Sequence, residues 1–214
     1  MATSSRFLID QASSKKRELC LFGTGTTFEL MYNERLLRAS PDETTSALAI
    51  DTIRGLIGDR NQVDLLIGGL GFGKSLELSL EDPNLRSVVV VEVEHRLLDW
   101  ARTHLGLADR LDDARTETIE GALETFVRAS PQSYHGILID VDRGPVHAVL
   151  DSSRRTYSLT TLDLLARHLR SGGVLAVCLE EEDAAYQRAM AEIFTEVGSR
   201  PVEGSTAVIY FGRS

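Results

Sequence analysis

The run Gly68-Gly69-Leu70-Gly71-Phe72-Gly73-Lys74-Ser75 constrains this chain more than any other stretch. Four glycines in six positions follow an apolar run, residues 63–67, and precede a stretch with helical character, residues 74–80. Glycines let the backbone turn sharply there and let a ligand approach the start of the helix. Further along, residues 88–91, 137–139 and 174–178 are also candidate strands, with a weaker run at 117–119. They are solidly hydrophobic rather than alternating, as strands covered on both faces are. Helical patterns fall at residues 97–104, 122–129, 157–169 and 184–197. The alternation predicts a parallel, doubly wound α/β sheet. The end differs: residues 200–202 and 207–211, split by Glu203-Gly204-Ser205, read as an antiparallel hairpin.

Two incompatible motifs overlap in the glycine run. One is the G-x-G-x-G of nucleoside-binding Rossmann-like folds, at Gly69, Gly71 and Gly73. It requires an acid at the end of the next strand to hold ribose hydroxyls. Glu92 stands nineteen positions beyond Gly73, close to the expected spacing of about 20. The other is G-x-x-x-x-G-K-[ST], the phosphate-binding P-loop, from Gly68 to Ser75, with Asp140 as a metal-holding acid after residues 137–139. Its context is poor. The following helix is short, Pro83 stands near its end, and Glu92 would have no role. Lys74 then reads as a solvated residue of the first helical turn.

The N-terminal part reads differently. Residues 1–17 are polar and are expected to be a disordered tail. Residues 18–40 form a β-rich element with a hairpin tip at Tyr32-Asn33-Glu34-Arg35. Ser40, Pro41 and Glu43 give a capping box with proline at the first helical position. Ala47, Ile50, Ile53 and Ile57 then line one helical face, and residues 41–214 make one ligand-binding domain.

Composition narrows the function. The formal net charge is −9, and no basic stripe is present, which argues against a nucleic-acid partner. Two cysteines, Cys20 and Cys178, exclude a disulfide framework and a cysteine-based zinc site, and suit a reducing, cytoplasmic setting. No apolar run approaches the roughly 20 residues of a membrane span. Lys15 and Lys16 follow the few apolar residues near the start, which is not a signal-peptide pattern. His95, His104, His135, His147 and His168 show no metal-ligand spacing, so no metal site is expected. Trp100 reads as core, and the acidic run 180–183 as solvated and favourable to a helix N-terminus.

The string "VDLLIGGLGFGKSLELSL…VVVVEVEHRLLDWAR" resembles the spermidine synthase-like branch of class I S-adenosylmethionine-dependent transferases. In that family one strand ends in Gly-Gly-x-x-x-Gly, here Gly68, Gly69 and Gly73. The next ends in V-E-x-[DE], here Glu92 and Glu94. "SYHGILIDVDRGP" is similar to the family's catalytic-strand segment, with Asp140 on its strand-ending acid. The resemblance implies a Rossmann-like methyltransferase fold: a mostly parallel seven-stranded sheet, an antiparallel C-terminal hairpin and a small N-terminal β element. It implies S-adenosyl-L-methionine, or its decarboxylated form, as donor. The implied donor-binding set is Gly68, Gly69, Gly71, Gly73, Glu92, Val93, Glu120, Gly121 and Asp140. Glu92 would accept hydrogen bonds from the ribose hydroxyls. Asp140 would face the sulfonium or the donor's amino group, and Asp142 would be the acceptor-side base or anchor. Residues 143–156 would form an acceptor lid, and relatives of this type imply a homodimer.

The departures matter for the acceptor. The family's Gln…Asp-Glu…Tyr-His-Glu signature is replaced here by Leu36-Leu37-Arg38-Ala39-Ser40-Pro41. Its Asp-Ser-[ST]-Asp-Pro segment is replaced by Asp140-Val141-Asp142-Arg143-Gly144-Pro145, and its Gly-Asp-Ala by Glu120-Gly121-Ala122. The sequence reading therefore puts methyl transfer to a small-molecule acceptor first. Aminopropyl transfer comes next, then 3-amino-3-carboxypropyl transfer or cyclisation. A P-loop nucleotide hydrolase and a non-catalytic nucleoside-binding homologue remain as rivals. An amine is the acceptor class that the acids Glu92, Asp140 and Asp142 favour.

Overall fold

The computed structural model describes residues 5–14, 17–40, 43–141 and 155–214. The chain divides into two compact units, residues 1–43 and 44–214. The first is a meander of four antiparallel strands in the order β1-β2-β3-β4: β1 (Phe7–Ser14), β2 (Arg17–Thr24), β3 (Thr27–Tyr32) and β4 (Arg35–Ala39). Within the segment 1–17, expected to be a disordered tail, Phe7–Ser14 is a strand that pairs along its length with β2. Ser40 does not stand apart as a helix cap. Its Oγ accepts from the Phe28 amide at 2.6 Å, and its own amide donates to the Phe28 carbonyl at 2.8 Å. Pro41 lies outside the described residues.

The second unit begins with most of α1 (Glu43–Ile57) and continues β5 (Val63–Gly68), α2 (Lys74–Leu80), β6 (Leu85–Glu92), α3 (His95–Thr103), α4 (Ala108–Leu111), β7 (Thr116–Glu120), α5 (Leu123–Ala129) and β8 (Tyr134–Ile139). After residues 142–154, which are not described, come α6 (Leu159–Arg167), β9 (Leu169–Leu179), α7 (Ala184–Ala191), β10 (Glu196–Pro201) and β11 (Val208–Arg213). The seven strands are ordered β10-β11-β9-β8-β5-β6-β7. β6, β7, β8 and β9 join β5 in parallel, and β11 runs antiparallel to both β9 and β10. This is the Rossmann-like sheet that the sequence predicts.

The solid apolar runs have a direct cause. On β6, Val88 and Val90 face one buried cluster and Val89 and Val91 the other. Leu65 and Ile67 of β5 face the first cluster and Leu66 the second. The first is covered by Ile50 and Ile53 of α1 and Leu76 and Leu80 of α2, the second by Leu123 of α5 and Leu162 and Leu165 of α6. Each such side chain contributes about 1.5–3 kcal/mol by leaving water. Trp100 is buried on α3, as its spacing predicts. Cys178 is buried, but Cys20 is only half-buried. No helix among the described residues is long and apolar enough to cross a membrane.

Candidate functional site

In an open parallel sheet, ligand sites lie beyond the carboxyl ends of the strands. The glycine run leaves β5 at that end. Gly69 has φ +95°, and a Cβ there would lie 2.4 Å from the carbonyl oxygen of Asp140. Only glycine therefore allows the β5 exit to lie against the β8 exit. Gly73, φ +81°, closes the loop, and a Cβ on it would strike the Leu107 side chain at 2.2 Å. Gly71 lies between them, and Gly68 ends β5 against Leu123.

Backbone bonds fix the mouth. The Gly69 amide donates to the Val91 carbonyl at 2.9 Å, the Asp140 amide to the Gly68 carbonyl at 2.8 Å, and the Gly121 amide to the Glu92 carbonyl at 2.8 Å. The exits of β5, β6, β7 and β8 are thereby tied into one rim.

Glu92 is 6% exposed at the end of β6. Its Oε2 accepts from the Leu70 amide and its Oε1 from the Glu94 amide, both at 2.8 Å. The carboxylate thus clamps the glycine loop to its own strand exit. Glu94 turns to a different task, accepting from the Arg96 amide as the N-cap of α3. Val93, between them, is 39% exposed. Glu120 pairs with Glu92 across β6 and β7 and is exposed.

Asp140 is 6% exposed, and its Oδ2 accepts from the Ser75 hydroxyl at 3.3 Å. The Tyr157 hydroxyl donates to the Val141 carbonyl, holding the chain just past Asp140. The structure thus gathers Gly68, Gly69, Gly71, Gly73, Glu92, Val93, Glu120, Gly121 and Asp140 at one end of the sheet. Asp142 and residues 143–154 of the expected lid lie outside the described residues.

Sequence reasoning missed two site partners. Ser75 was visible only as part of a phosphate-loop string; its observed role is to donate to Asp140. Tyr157 carries no signal in the sequence beyond opening a helical pattern. Lys74, the other mark of that string, pairs with Glu77 at 3.1 Å. The P-loop reading gives way to the sheet order and its antiparallel β11.

His135 sits at the other end of β8. Its Nδ1 accepts from the Asp64 amide at 3.0 Å. Burial first, and Arg170 second, lower the imidazole's pKa from its ordinary value, with Asp64 pulling the other way. Burial would raise the Asp64 carboxyl, but hydrogen bonds from Arg86 and Ser87 prevail and hold it low.

A spermidine synthase in complex with the transition-state analogue AdoDATO superposes with a TM-score of 0.79 at 16% identity, covering 96% of this chain and 73% of that one. The chain has the Rossmann-like fold of the spermidine synthases. Spermidine synthase from Thermotoga maritima gives a TM-score of 0.74 at 16% identity, covering 96% and 72%. Human methyltransferase-like protein 13 in complex with SAH gives 0.62 at 20% identity, covering 79% of each chain. Among curated proteins, polyamine aminopropyltransferase 2 of Pseudomonas aeruginosa is 30% identical over 149 residues, which covers 64% of this chain. The chain spans 41% of that relative's length. No protein-family profile matches the chain.

Proposed function

We propose that this chain is a transferase of the polyamine-synthase type, moving an aminopropyl group from decarboxylated S-adenosylmethionine to an amine. The curated relative, named an aminopropyltransferase, supports this reading over the methyl transfer that the sequence reading put first. The observation that carries it is the convergence of the Gly69 loop, Glu92 and Asp140 on one rim, each held by named bonds.

The residues fit such a donor. The Glu92 carboxylate, already oriented by the Leu70 and Glu94 amides, suits two ribose hydroxyls. The exposed Val93 offers an apolar face beside it for the adenine ring. Asp140 supplies negative charge for a cationic donor or amine, and Ser75 fixes one of its oxygens. The bound donor would supply an activated sulfonium leaving group. The protein's share is then alignment of the amine in line with the transferred carbon, which is where most of the acceleration in such displacements arises. A base is needed only for the amine's proton, and Asp140 is the candidate within the described residues.

A second reading, methyl transfer from S-adenosylmethionine, keeps one observation in its favour: the polyamine-holding segments of the resembling family are replaced at residues 36–41 and 140–145. One experiment separates the two. The purified chain is given putrescine with either donor, and the nucleoside product is quantified by chromatography. Turnover with the decarboxylated donor, lost in Asp140→Asn and unchanged in Lys74→Ala, is the expected result. Turnover only with intact S-adenosylmethionine would replace the proposal with methyl transfer. Magnesium-dependent ATP hydrolysis lost in Lys74→Ala would overturn both.

A further inference from the structure

The opposite end of the sheet carries a second constellation. Tyr134 pairs with Leu169, but Gly136 pairs with Val174, so residues 170–173 bulge out of β9. Gly172 stands in this bulge with φ +70°. A Cβ on it would lie 3.4 Å from Nη2 of Arg60 and 4.0 Å from Nη2 of Arg213, and near no other group beyond its chain neighbours. Two guanidinium groups, from the segment after α1 and from β11, therefore converge on a point that the missing side chain leaves open.

The nearby side-chain carboxylates are largely committed elsewhere, and Ser214 borders the bulge with its amide and hydroxyl on the Gly173 and Arg170 carbonyls. Asp64, 3% exposed, already takes Arg170 at 2.9 Å as well as Arg86. Arg170 also donates from Nε to the Ser133 carbonyl at 3.0 Å. Arg213 has Glu196 at 3.7 Å, a long contact between half-exposed groups. Arg60 is exposed, and its Nη1 lies 3.5 Å from the Ser171 carbonyl on the same bulge. Arg60 and Arg213 thus stand beside the bulge that contains Arg170, in a chain whose formal net charge is −9. Like charges held this close favour an anion between them, and the planar guanidinium matches phosphate geometry.

We propose that the Gly172 bulge is an oxyanion site that holds a phosphate group between Arg60 and Arg213. It is separate from the donor site: His135, beside the bulge, and Asp140 are five residues apart, about 16 Å along an extended strand. The proposal does not depend on the transferase reading.

The test titrates the whole chain with inorganic phosphate, and in parallel with acetate, at constant ionic strength, following the melting temperature and calorimetric heat. A saturable response to phosphate, weaker or absent with acetate, is expected. Arg60→Gln and Arg213→Gln should each weaken it about tenfold, the loss of one charge-assisted hydrogen bond. Glu196→Gln, which removes the carboxylate competing for Arg213, should tighten it, and this opposite sign guards against mere unfolding of the arginine variants. Three results would each overturn the site: no saturable response, an equal response to acetate, or a phosphate response that survives both arginine replacements.

Discussion

Replacing Glu92 with glutamine tests whether one side chain serves both the fold and the ligand. The carboxylate accepts from two backbone amides at 2.8 Å while only 6% exposed. Glutamine keeps the shape but offers one acceptor end and one donor end. Whichever way it turns, its NH2 group meets either the Leu70 or the Glu94 amide. A buried donor left without an acceptor costs about 1–3 kcal/mol, and the surviving bond loses its charge assistance, about 1 kcal/mol more. Burying a neutral amide instead of a charge offsets part of this, so a net loss of about 2 kcal/mol is expected. For a domain of this size that lowers the melting temperature by roughly 4–8 °C. Urea unfolding should show a lower midpoint with an unchanged slope, since the surface exposed on unfolding is the same. Calorimetry with methylthioadenosine should show binding weakened about a hundredfold, because two charge-assisted bonds to ribose hydroxyls become weaker or are lost. A Glu92→Gln protein with unaltered urea midpoint and unaltered nucleoside affinity would refute the reasoning.

Two further outcomes follow from the same geometry. Gly69→Ala must pay for a positive φ, about 1–2 kcal/mol, and push the Asp140 carbonyl from 2.4 Å, so a loss of about 2–4 kcal/mol with collapse of turnover is expected in urea unfolding and activity assays; wild-type stability would show that the two strand exits can separate freely. Stability should also fall on acidification in two stages. With its folded value lowered, His135 leaves the unfolded chain taking up protons first as the pH drops below 6.5, while Asp64, also lowered, adds a second loss below 3.8. Urea midpoints measured from pH 8 to pH 3 should show both stages, and His135→Asn should remove the first; a midpoint flat from pH 7 to pH 5 contradicts the assignment.

The strands most plainly readable in the sequence share one property, burial on both faces. The cores of β5, β6, β8 and β9 appear as unbroken apolar runs because helices cover both sides. α2 is bounded as predicted, Lys74–Leu80, since glycines precede it and Pro83 follows. What the sequence hid lies at the sheet edges. β1, with Asp10, Gln11 and Ser13 among its residues, has one neighbour and reads as a polar tail. β10, Glu196–Pro201, is also an edge strand, so its polar start was absorbed into an overlong helix that in fact ends at Ala191. At the site, Glu92 was legible from its spacing to Gly73. The Ser75 bond to Asp140 was not, because it joins positions 65 residues apart.

The place of β11 has a consequence for synthesis. It lies between β9 and β10, yet it is made after both. Until residues 208–213 have left the ribosome, the edge of β9 stands open along Val174–Leu179, and β10 has no partner in the sheet. An unpaired apolar edge is a template for joining another chain. A nascent chain stalled before Val208 is therefore an aggregation hazard despite having nearly all of this sheet's core residues, and β11 works as a zip that joins β9 to β10 only when translation has passed it.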